Sequence, residues 1–300
     1  MKITVWIKAF RLRTLPLALS STILGSFLAF AKNRFSWNIF FLATLTTLFL
    51  QVLSNLANDY GDAMNGADNA SRIGPERVTQ SGLVTRIQMR AMIITFVILS
   101  FFSGTLLIFV GLHHLGWERI LIFFILGISA IYAAIKYTVG KNPYGYVGLG
   151  DVFVFIYFGI AGVAGTYYLH VNSFDPWILL PASAIGLLSS CVLNLNNMRD
   201  IESDSLTGKR TLVVRIGSRQ AKMYHVLLLG LSLFFSLVYS FIHFTSVYQF
   251  MFVLTFPLFF LNAKVVLLNT RPIELNAELK KLAILTFVFS LTFGIGMIIQ

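Results

Sequence analysis

Charged residues and cysteine are both scarce in this chain of 300 residues. Charged side chains make up 12% of the sequence and hydrophobic ones 57%, whereas a typical soluble domain is about 25% charged. A water-soluble fold cannot bury so much apolar surface, so the composition excludes one. The single cysteine, Cys191, lies inside an apolar run, which excludes a disulfide framework and a cysteine metal site. The sequence also offers no Ser–His–Asp or Cys–His arrangement for nucleophilic catalysis.

Long apolar runs fill most of the chain. Many are close to about 20 residues, the length at which a helix crosses the roughly 30 Å hydrocarbon core of a bilayer. We therefore predict an all-α integral membrane protein with about nine transmembrane helices, forming a single polytopic membrane domain over residues 1–300. The predicted spans are 14–31, 37–57, 90–112, 117–138, 150–170, 176–197, 224–243, 247–268 and 280–299.

The distribution of basic residues predicts the orientation. Residues 1–13 form a basic, amphipathic segment of the kind that lies on a membrane surface. With the N-terminus in the cytoplasm, all 23 Lys and Arg residues lie on the cytoplasmic side except Lys32, Arg34 and Arg119. The positive-inside rule therefore favours a cytoplasmic N-terminus. We attribute the net charge of +11 to this topology and to an anionic substrate, and predict no nucleic-acid partner.

The few acidic residues are concentrated in two places. Of the 12 in the chain, seven lie in or beside the stretches Asn55–Asp68 and Asn194–Asp204: Asp59, Asp62, Asp68, Glu76, Asp200, Glu202 and Asp204. Each stretch begins with Asn-Leu-x-Asn, where a predicted span gives way to a long polar loop. Structureless loops of this length are usually functional. We therefore predict cytoplasmic catalytic loops at 58–90 and 198–222.

At helical spacing, the polar side chains of each stretch share one face. The two sets are Asn55, Asn58, Asp59 and Asp62, and Asn194, Asn197, Asp200 and Asp204. Carboxylates at a membrane edge are costly and mark functional sites by default. Two facing sets would repel each other unless a cation lay between them. Oxygen ligands without His or Cys favour Mg²⁺ or Ca²⁺, and Mg²⁺ commonly adds phosphate oxygens to one or two carboxylates, which indicates a phosphate-bearing substrate.

Basic residues follow both acidic stretches. Arg72 and Arg77 come after the first, and Lys209, Arg210 and Arg215 after the second. Cations beside bound Mg²⁺ can hold a leaving diphosphate and neutralise charge as it develops. The alternative is that they only follow the positive-inside rule, which is our interpretation of the other basic residues near these loops: Arg86, Arg90, Arg219 and Lys222.

Five stretches carry a family resemblance that covers most of the chain up to about residue 217. They are Asn58–Asp62 with Asp68, Asn197–Asp204, Gly208–Leu212, Tyr146–Asp151 and Gly165–Tyr168. In these residues the chain resembles the UbiA-type intramembrane prenyltransferases, and especially the branch that prenylates 1,4-dihydroxy-2-naphthoate. The resemblance implies nine transmembrane helices around a central cavity open to lipid. It also implies two Asp-rich motifs, at the ends of helices two and six, that bind Mg²⁺ and prenyl diphosphate.

The same resemblance implies an activity. This is Mg²⁺-dependent transfer of a polyprenyl group from polyprenyl diphosphate to 1,4-dihydroxy-2-naphthoate, with decarboxylation, giving demethylmenaquinol in menaquinone biosynthesis. The allylic cation formed when the carbon–oxygen bond ionises would be attacked by the electron-rich ring. The expected location is the bacterial cytoplasmic (inner) membrane, with the active site on the cytoplasmic side and the isoprenoid tail in the lipid bilayer.

Residue roles also follow from the resemblance. The implied metal ligands are Asp62, Asp68, Asp200 and Asp204, supported by Asn58 and Asn197. The implied diphosphate-binding residues are Arg72, Lys209 and Arg210, again with Asn58 and Asn197. The wider family often has its second carboxylate at the position of Gly66, and this chain has Asp68 two residues later, which takes that role here.

Asp151, Tyr137 and Tyr132 are further candidates. Asp151 would orient the aromatic acceptor or accept a proton, or would form an interfacial ion pair near Lys136 and Lys141. Tyr137 and Tyr132 would line the cavity, where aromatic faces stabilise cationic character; an interfacial aromatic belt is the competing interpretation.

Other functions stay open at this point. The acceptor could be 4-hydroxybenzoate, homogentisate or haem within the same chemistry. A cation-coupled transporter is the alternative from another class, although transporters place such charges nearer the membrane midplane. A structural membrane subunit would leave the concentration of acidic residues unexplained. The prenyl chain length and the oligomeric state do not follow from the sequence.

Overall fold

A computed structural model describes residues 3–66 and 77–299. Every regular element in these ranges is helical: α1 (Ile3–Phe10), α2 (Leu15–Ala31), α3 (Trp37–Met64), α4 (Arg86–Leu112), α5 (Trp117–Lys136), α6 (Gly150–Val171), α7 (Pro176–Arg199), α8 (Ile201–Leu206), α9 (Leu212–Ile242), α10 (Val247–Leu268) and α11 (Pro272–Ile298). Within them, nine segments are long and apolar enough to span a membrane, α1 and α2 together forming the first. The chain is thus a multi-pass, all-helical membrane protein, as the sequence predicts, and its cytoplasmic N-terminus stays a prediction.

The apolar pattern explains how the helices are arranged. Helix α7 lies at the centre, with 72% of its most apolar window buried, whereas α5 lies at the edge with 6% buried. Helix α7 packs against α6, α9 and α11, while α3 packs against α4 and α5, and α11 runs along α2. Large apolar side chains stay exposed on the outer surface, as at Phe102 and Ile122. Such surface suits contact with lipid.

Several helices extend beyond the predicted spans into the predicted catalytic loops. Helix α3 continues to Met64, so Asn58 and Asp62 lie on its last two turns. Helix α9 begins at Leu212 and bends at Gly217, whose φ of 79° is in the left-handed region. The short helix α8 lies between α7 and α9 along the chain, within the second predicted catalytic loop. Asp59, Asp62, Glu202 and Asp204 therefore lie on helices, which hold a site more rigidly than loops do.

Candidate active site

Tyr146 joins the two acidic stretches. Its hydroxyl donates a 2.6 Å hydrogen bond to Asp62 Oδ1 at the end of α3. Lys209 Nζ lies 5.5 Å above the Tyr146 ring and 3.2 Å from Asp204 Oδ1 at the end of α8. The backbone N–H of Arg210 donates to the Tyr146 carbonyl at 3.0 Å. Tyr146 and Lys209 thus link Asp62 of the first acidic stretch to Asp204 of the second.

Arg77 holds the carboxylates of the first stretch. Its Nη1 atom forms an ion pair with Asp62 Oδ2 and donates to the Asn58 carbonyl at 3.0 Å. Its Nε atom lies 3.5 Å from Asp59 Oδ1, which also accepts from Arg11 Nη2 at 3.2 Å. Both carboxylates are 2% exposed, and buried charges of this kind require such partners.

Arg199 holds the first carboxylate of the second stretch. Its Nε donates to Asp200 Oδ1 at 2.8 Å and its Nη2 contacts Asp200 Oδ2. This is the bidentate geometry in which arginine binds carboxylates most strongly. Asp204 is held differently: Lys209 pairs with its Oδ1 atom, and its Oδ2 atom accepts no hydrogen bond within residues 3–66 and 77–299. The two carboxylates of this stretch therefore differ in how much of their surface the protein occupies.

The leading asparagine of each Asn-Leu-x-Asn ties helices together. Asn55 donates to the Phe10 carbonyl and to Thr14 Oγ1, at 2.9 and 3.0 Å, which fixes the α1–α2 junction against α3. Asn194 donates to the Ala221 carbonyl of α9 at 3.0 Å. These residues shape the site without lying at its centre.

The second asparagine of each Asn-Leu-x-Asn sequence, Asn58 or Asn197, has different hydrogen-bond partners. Asn58 Oδ1 accepts a 3.2 Å hydrogen bond from Thr138 Oγ1. Asn197 Oδ1 is buried and accepts no hydrogen bond from the described residues, and the same holds for Asp204 Oδ2. Buried oxygen atoms without a donor call for an explanation such as an ion. Two oxygen ligands of the type that Mg²⁺ prefers therefore fit a metal in the second stretch.

Among the described residues, no three His, Cys, Asp or Glu side chains form a metal-ligand group. Two of the carboxylates instead form ion pairs with basic side chains: Asp62 with Arg77, and Asp204 with Lys209. Burial would lower the pKa of Lys209, but the facing carboxylates of Asp62 and Asp204 outweigh it and raise that pKa. Burial, and then the Asp62 charge, raise the pKa of Tyr146 well above its usual range. Lys209 stays a cation and Tyr146 a neutral donor near neutral pH.

Asp151 and Tyr137 form a second polar group beside the carboxylates. Asp151 is buried at the start of α6 and accepts a 3.4 Å hydrogen bond from the Tyr224 hydroxyl. The Tyr137 ring lies against Gly150 and Gly145. Burial, and then the charges of Asp151, Asp204 and Asp62, raise the pKa of Tyr137. The negative charges of both acidic stretches and of Asp151 therefore act on the Tyr137 hydroxyl.

The structure also describes two remaining alternatives, which concern Asp151 and Tyr132. Asp151 has Tyr224 as its partner, and Lys136 Nζ instead donates to the Lys141 carbonyl, so the interfacial ion pair near those lysines is wrong. Tyr132 is 62% exposed on α5, and its place in the lining of a cavity open to lipid stays a prediction. Helical spacing alone cannot tell the lipid-facing side of a uniformly apolar helix from its inner side.

The predicted substrate and metal residues also include Arg210, Asp68 and Arg72. Arg210 is exposed, and its backbone N–H rather than its side chain is seen to contact the site. Asp68 and Arg72 lie outside the described residues, and their assignments stay predictions.

Arg199 and Tyr146 were not assigned roles from the sequence, and Arg77 was named only as one of the cations that follow the first acidic stretch. Arg199 directly precedes Asp200, and Tyr146 begins the Tyr-Val-Gly-Leu-Gly-Asp stretch, so both lay within stretches already singled out. No pattern distinguished Arg77 from the other basic residues that follow the first acidic stretch.

A cavity of about 450 Å³ borders the first stretch. Asp59 and Arg77 lie on one side of it, and Lys8, Arg11 and Arg13 come from the N-terminal segment. Its basic lining favours the approach of anions. The central cavity open to lipid stays a prediction.

A sequence model of the UbiA prenyltransferase family matches residues 18–297. The 1,4-dihydroxy-2-naphthoate octaprenyltransferase of Haemophilus influenzae is 42% identical over 300 residues, which cover 99% of this chain and 97% of that protein. The Escherichia coli protein of the same name is 41% identical over 295 residues, covering 98% and 95%.

Solved structures of UbiA homologues have the same fold. The apo structure of one from Aeropyrum pernix has a TM-score of 0.68 at 15% identity, covering 100% of this chain and 98% of that chain. One from Archaeoglobus fulgidus, bound to DMAPP and Mg²⁺, has a TM-score of 0.59 at 16% identity, covering 95% and 99%.

Proposed function

Because this chain belongs to the UbiA prenyltransferase family, we propose that it transfers a polyprenyl group from polyprenyl diphosphate to 1,4-dihydroxy-2-naphthoate. The reaction releases diphosphate and carbon dioxide and gives demethylmenaquinol in menaquinone biosynthesis. Full-length relatives named for this acceptor support the proposal. The observation that carries it is the junction at Tyr146, where Asp62 meets the Lys209–Asp204 pair. The enzyme belongs to the bacterial inner membrane, with this site on the cytoplasmic side.

Mg²⁺ is the proposed cofactor, and the Archaeoglobus homologue bound to Mg²⁺ supports a divalent metal. Asp62, Asp200, Asp204 and Asn197 would hold it, with Asp68 and Asn58 as further ligands. The buried, unpartnered oxygens of Asn197 and Asp204 support this assignment. When bound, Mg²⁺ neutralises charge on the diphosphate and so makes it a better leaving group.

The basic residues hold the diphosphate. Lys209, which lies between the two acidic stretches, contacts its oxygens, and Arg72 and Arg210 bind the diphosphate with it. Fixed cations are effective here because negative charge grows on the diphosphate as the carbon–oxygen bond breaks. Lys209 is 6% exposed, so water screens its charge little.

Asp151 and Tyr137 serve the acceptor. Asp151, oriented by Tyr224, accepts a hydrogen bond or a proton from a hydroxyl of the aromatic ring and makes that ring more electron-rich. The Tyr137 ring lies against Gly150, the residue before Asp151, and its π-face would stabilise the allylic cation. The isoprenoid tail lies along apolar helix surface in contact with lipid.

Lys209→Ala is expected to raise the KM for the prenyl diphosphate. Loss of one hydrogen bond to a charged group is worth about 1.5–3 kcal/mol, which corresponds to a change of about tenfold to a hundredfold. Steady-state kinetics in nanodiscs measure both substrates, and the KM for the aromatic acceptor should stay unchanged. The matched control is Arg219→Ala, which removes an exposed cation of the nearby α9. A variant that altered only the acceptor KM would show that the role of Lys209 is wrong.

Mass spectrometry with a panel of acceptors tests the proposed reaction. Purified protein in nanodiscs receives Mg²⁺ and a short prenyl diphosphate together with 1,4-dihydroxy-2-naphthoate, 4-hydroxybenzoate or homogentisate. We expect product only from the first, heavier by the prenyl group and lighter by carbon dioxide. Product from another acceptor, without product from the first, would overturn the acceptor assignment.

A further inference from the structure

The cavity of about 450 Å³ beside the first acidic stretch is built from two separate parts of the chain. Lys8, Arg11 and Arg13 line it from the N-terminal segment. Asp59 of α3 and Arg77, which lies between α3 and α4 along the chain, line it from the other side. Its lining therefore carries four cationic side chains and one carboxylate. This excess of positive charge favours an anionic ligand.

The charges of the lining differ in how deeply they lie. Arg11 Nη2 donates to Asp59 Oδ1 at 3.2 Å, and Arg77 Nε lies 3.5 Å from the same oxygen. Asp59 and Arg77 are both buried. Lys8 and Arg13, in contrast, are exposed. The inner carboxylate is thus held by two arginines of the protein, whereas the two outer cations can be reached by an anionic group from outside.

Apolar side chains lie beside the outer cations. Ile7, Leu12 and Leu83 also line the cavity, and all three are exposed. Ile3, which is exposed as well, lies one turn before Ile7 on α1. A helix that presents apolar and basic side chains in this way lies at a membrane surface. Cations next to exposed apolar surface suit a ligand that has both an anionic group and an apolar chain.

The backbone at Arg11 shows that the fold maintains this arrangement. Arg11 lies between α1 and α2 with a φ of 50°, in the left-handed region. A residue other than glycine keeps such a conformation only where its surroundings enforce it, and ligand sites are among the places where this occurs. Asn55 of α3 enforces it here, because its side-chain amide donates to the Phe10 carbonyl and to Thr14 Oγ1 at 2.9 and 3.0 Å. The bend brings cations from both sides of Arg11 to one cavity.

From these observations we propose that the cavity binds the headgroup of an anionic phospholipid. Lys8 and Arg13 contact its phosphate, and an acyl chain follows the exposed apolar side chains of α1 and Leu83. Basic pockets at a membrane surface recognise anionic headgroups in this way, and each nearby Lys or Arg strengthens the attraction. Neither Lys8 nor Arg13 is among the proposed metal or diphosphate ligands, so the proposal does not depend on the proposed function. The bound lipid fixes α1 to the membrane beside the end of α3.

Native mass spectrometry of the full-length protein tests the proposal without turnover. The protein is released from micelles that contain either phosphatidylglycerol or phosphatidylcholine, and the lipids that stay bound are identified by mass. We expect phosphatidylglycerol to be retained in preference to phosphatidylcholine. Replacing both outer cations, Lys8→Gln with Arg13→Gln, should weaken retention of phosphatidylglycerol about thirtyfold, since each cation near a headgroup contributes about fivefold.

Arg219→Gln with Lys280→Gln is the matched control. It removes one Arg and one Lys from exposed positions on α9 and α11, neither of which lines the cavity. This pair should retain phosphatidylglycerol as the unaltered protein does. Because all four replaced side chains are exposed, both double variants should also keep the melting temperature that the unaltered protein has in lipid-free detergent.

Three results would overturn the proposal. Equal retention of the two lipids by the unaltered protein would show that the cavity does not select an anionic headgroup. An equal loss in the control pair would show that retention follows the total charge of the protein. Displacement of phosphatidylglycerol by a short prenyl diphosphate or by inorganic phosphate, each added with a chelator to remove Mg²⁺, would assign the cavity to a soluble phosphate compound.

Discussion

Replacing Asp62 is expected to lower the rate of prenyl transfer by about a hundredfold to a thousandfold, the usual cost of removing a charge-stabilising group from a catalytic site. Asp62 accepts from Tyr146 and pairs with Arg77, so it lies where both acidic stretches and the diphosphate would meet. Asp62→Asn keeps the shape of the side chain and removes its charge, and Asp62→Ala removes both. Turnover of a short prenyl diphosphate, measured by product formation in nanodiscs, reports the loss.

Glu202→Gln is the matched control for this prediction. Glu202 lies between Asp200 and Asp204 in sequence, but its side chain is exposed, so its variant should keep nearly full activity. Asp200→Asn should behave like Asp62→Asn. Size-exclusion chromatography in detergent checks that each variant is folded. Native turnover in folded Asp62→Ala would contradict the assignment of Asp62 as a metal ligand.

Gly61→Ala is expected to lower activity by about a hundredfold without touching a charged residue. A Cβ atom at Gly61 would lie 2.5 Å from Thr138 Oγ1 and 2.7 Å from the Thr138 carbonyl oxygen. Thr138 is itself fixed, because its hydroxyl donates to the Ala57 carbonyl and its own carbonyl accepts from Asn65. The end of α3 must therefore shift away, and Asp62 shifts with it. A displacement of about 1 Å in a catalytic group is enough for a loss of this size.

Gly104→Ala is the control for the glycine prediction. A Cβ atom there would lie 3.6 Å from Thr46 Cγ2, an ordinary van der Waals contact between α4 and α3. Activity and melting temperature should both stay close to those of the unaltered protein. If Gly61→Ala matched Gly104→Ala in activity, the close packing of α3 against Thr138 would not be what positions Asp62.

The sequence is most informative about the membrane helices and the carboxylates. Apolar runs of the right length predict the spans because a helix pairs all its backbone polar groups internally, as the hydrocarbon core requires. Asp62 and Asp204 stand out because carboxylates are rare in this composition and fall at helix ends. Both inferences depend on residue type and spacing along the chain, which a sequence displays directly.

The partners of the carboxylates could not be found in the same way. Arg77 belongs to a group of basic residues that the positive-inside rule already explains, and only its contacts with Asp59 and Asp62 distinguish it. Asn276, whose side-chain oxygen accepts a hydrogen bond from Arg199, lies 77 positions from it along the chain, outside every stretch that the sequence analysis singled out. Such long-range pairs depend on how helices pack, which local patterns do not encode.

Buried ion pairs account for the order of the site. Removing one partner of a buried pair costs about 3–5 kcal/mol because the other charge stays buried and unpaired. Arg77, Arg199 and Lys209 are all largely buried. Each fixes a carboxylate, and the free energy of burying both charges is part of folding rather than of substrate binding. The site is thereby held in one arrangement before substrate binds, which is what electrostatic stabilisation of a leaving diphosphate requires.

The dependence of turnover on metal tests the central claim most directly. Purified protein in nanodiscs receives 1,4-dihydroxy-2-naphthoate and a short prenyl diphosphate, with Mg²⁺, with a chelator, or with a chelator followed by excess Mg²⁺. The products are weighed by mass spectrometry. We predict a product heavier by the prenyl group and lighter by carbon dioxide with Mg²⁺, none with the chelator, and recovery when Mg²⁺ is restored. Undiminished product in the chelator, or no product from folded protein supplied with Mg²⁺, would contradict the account.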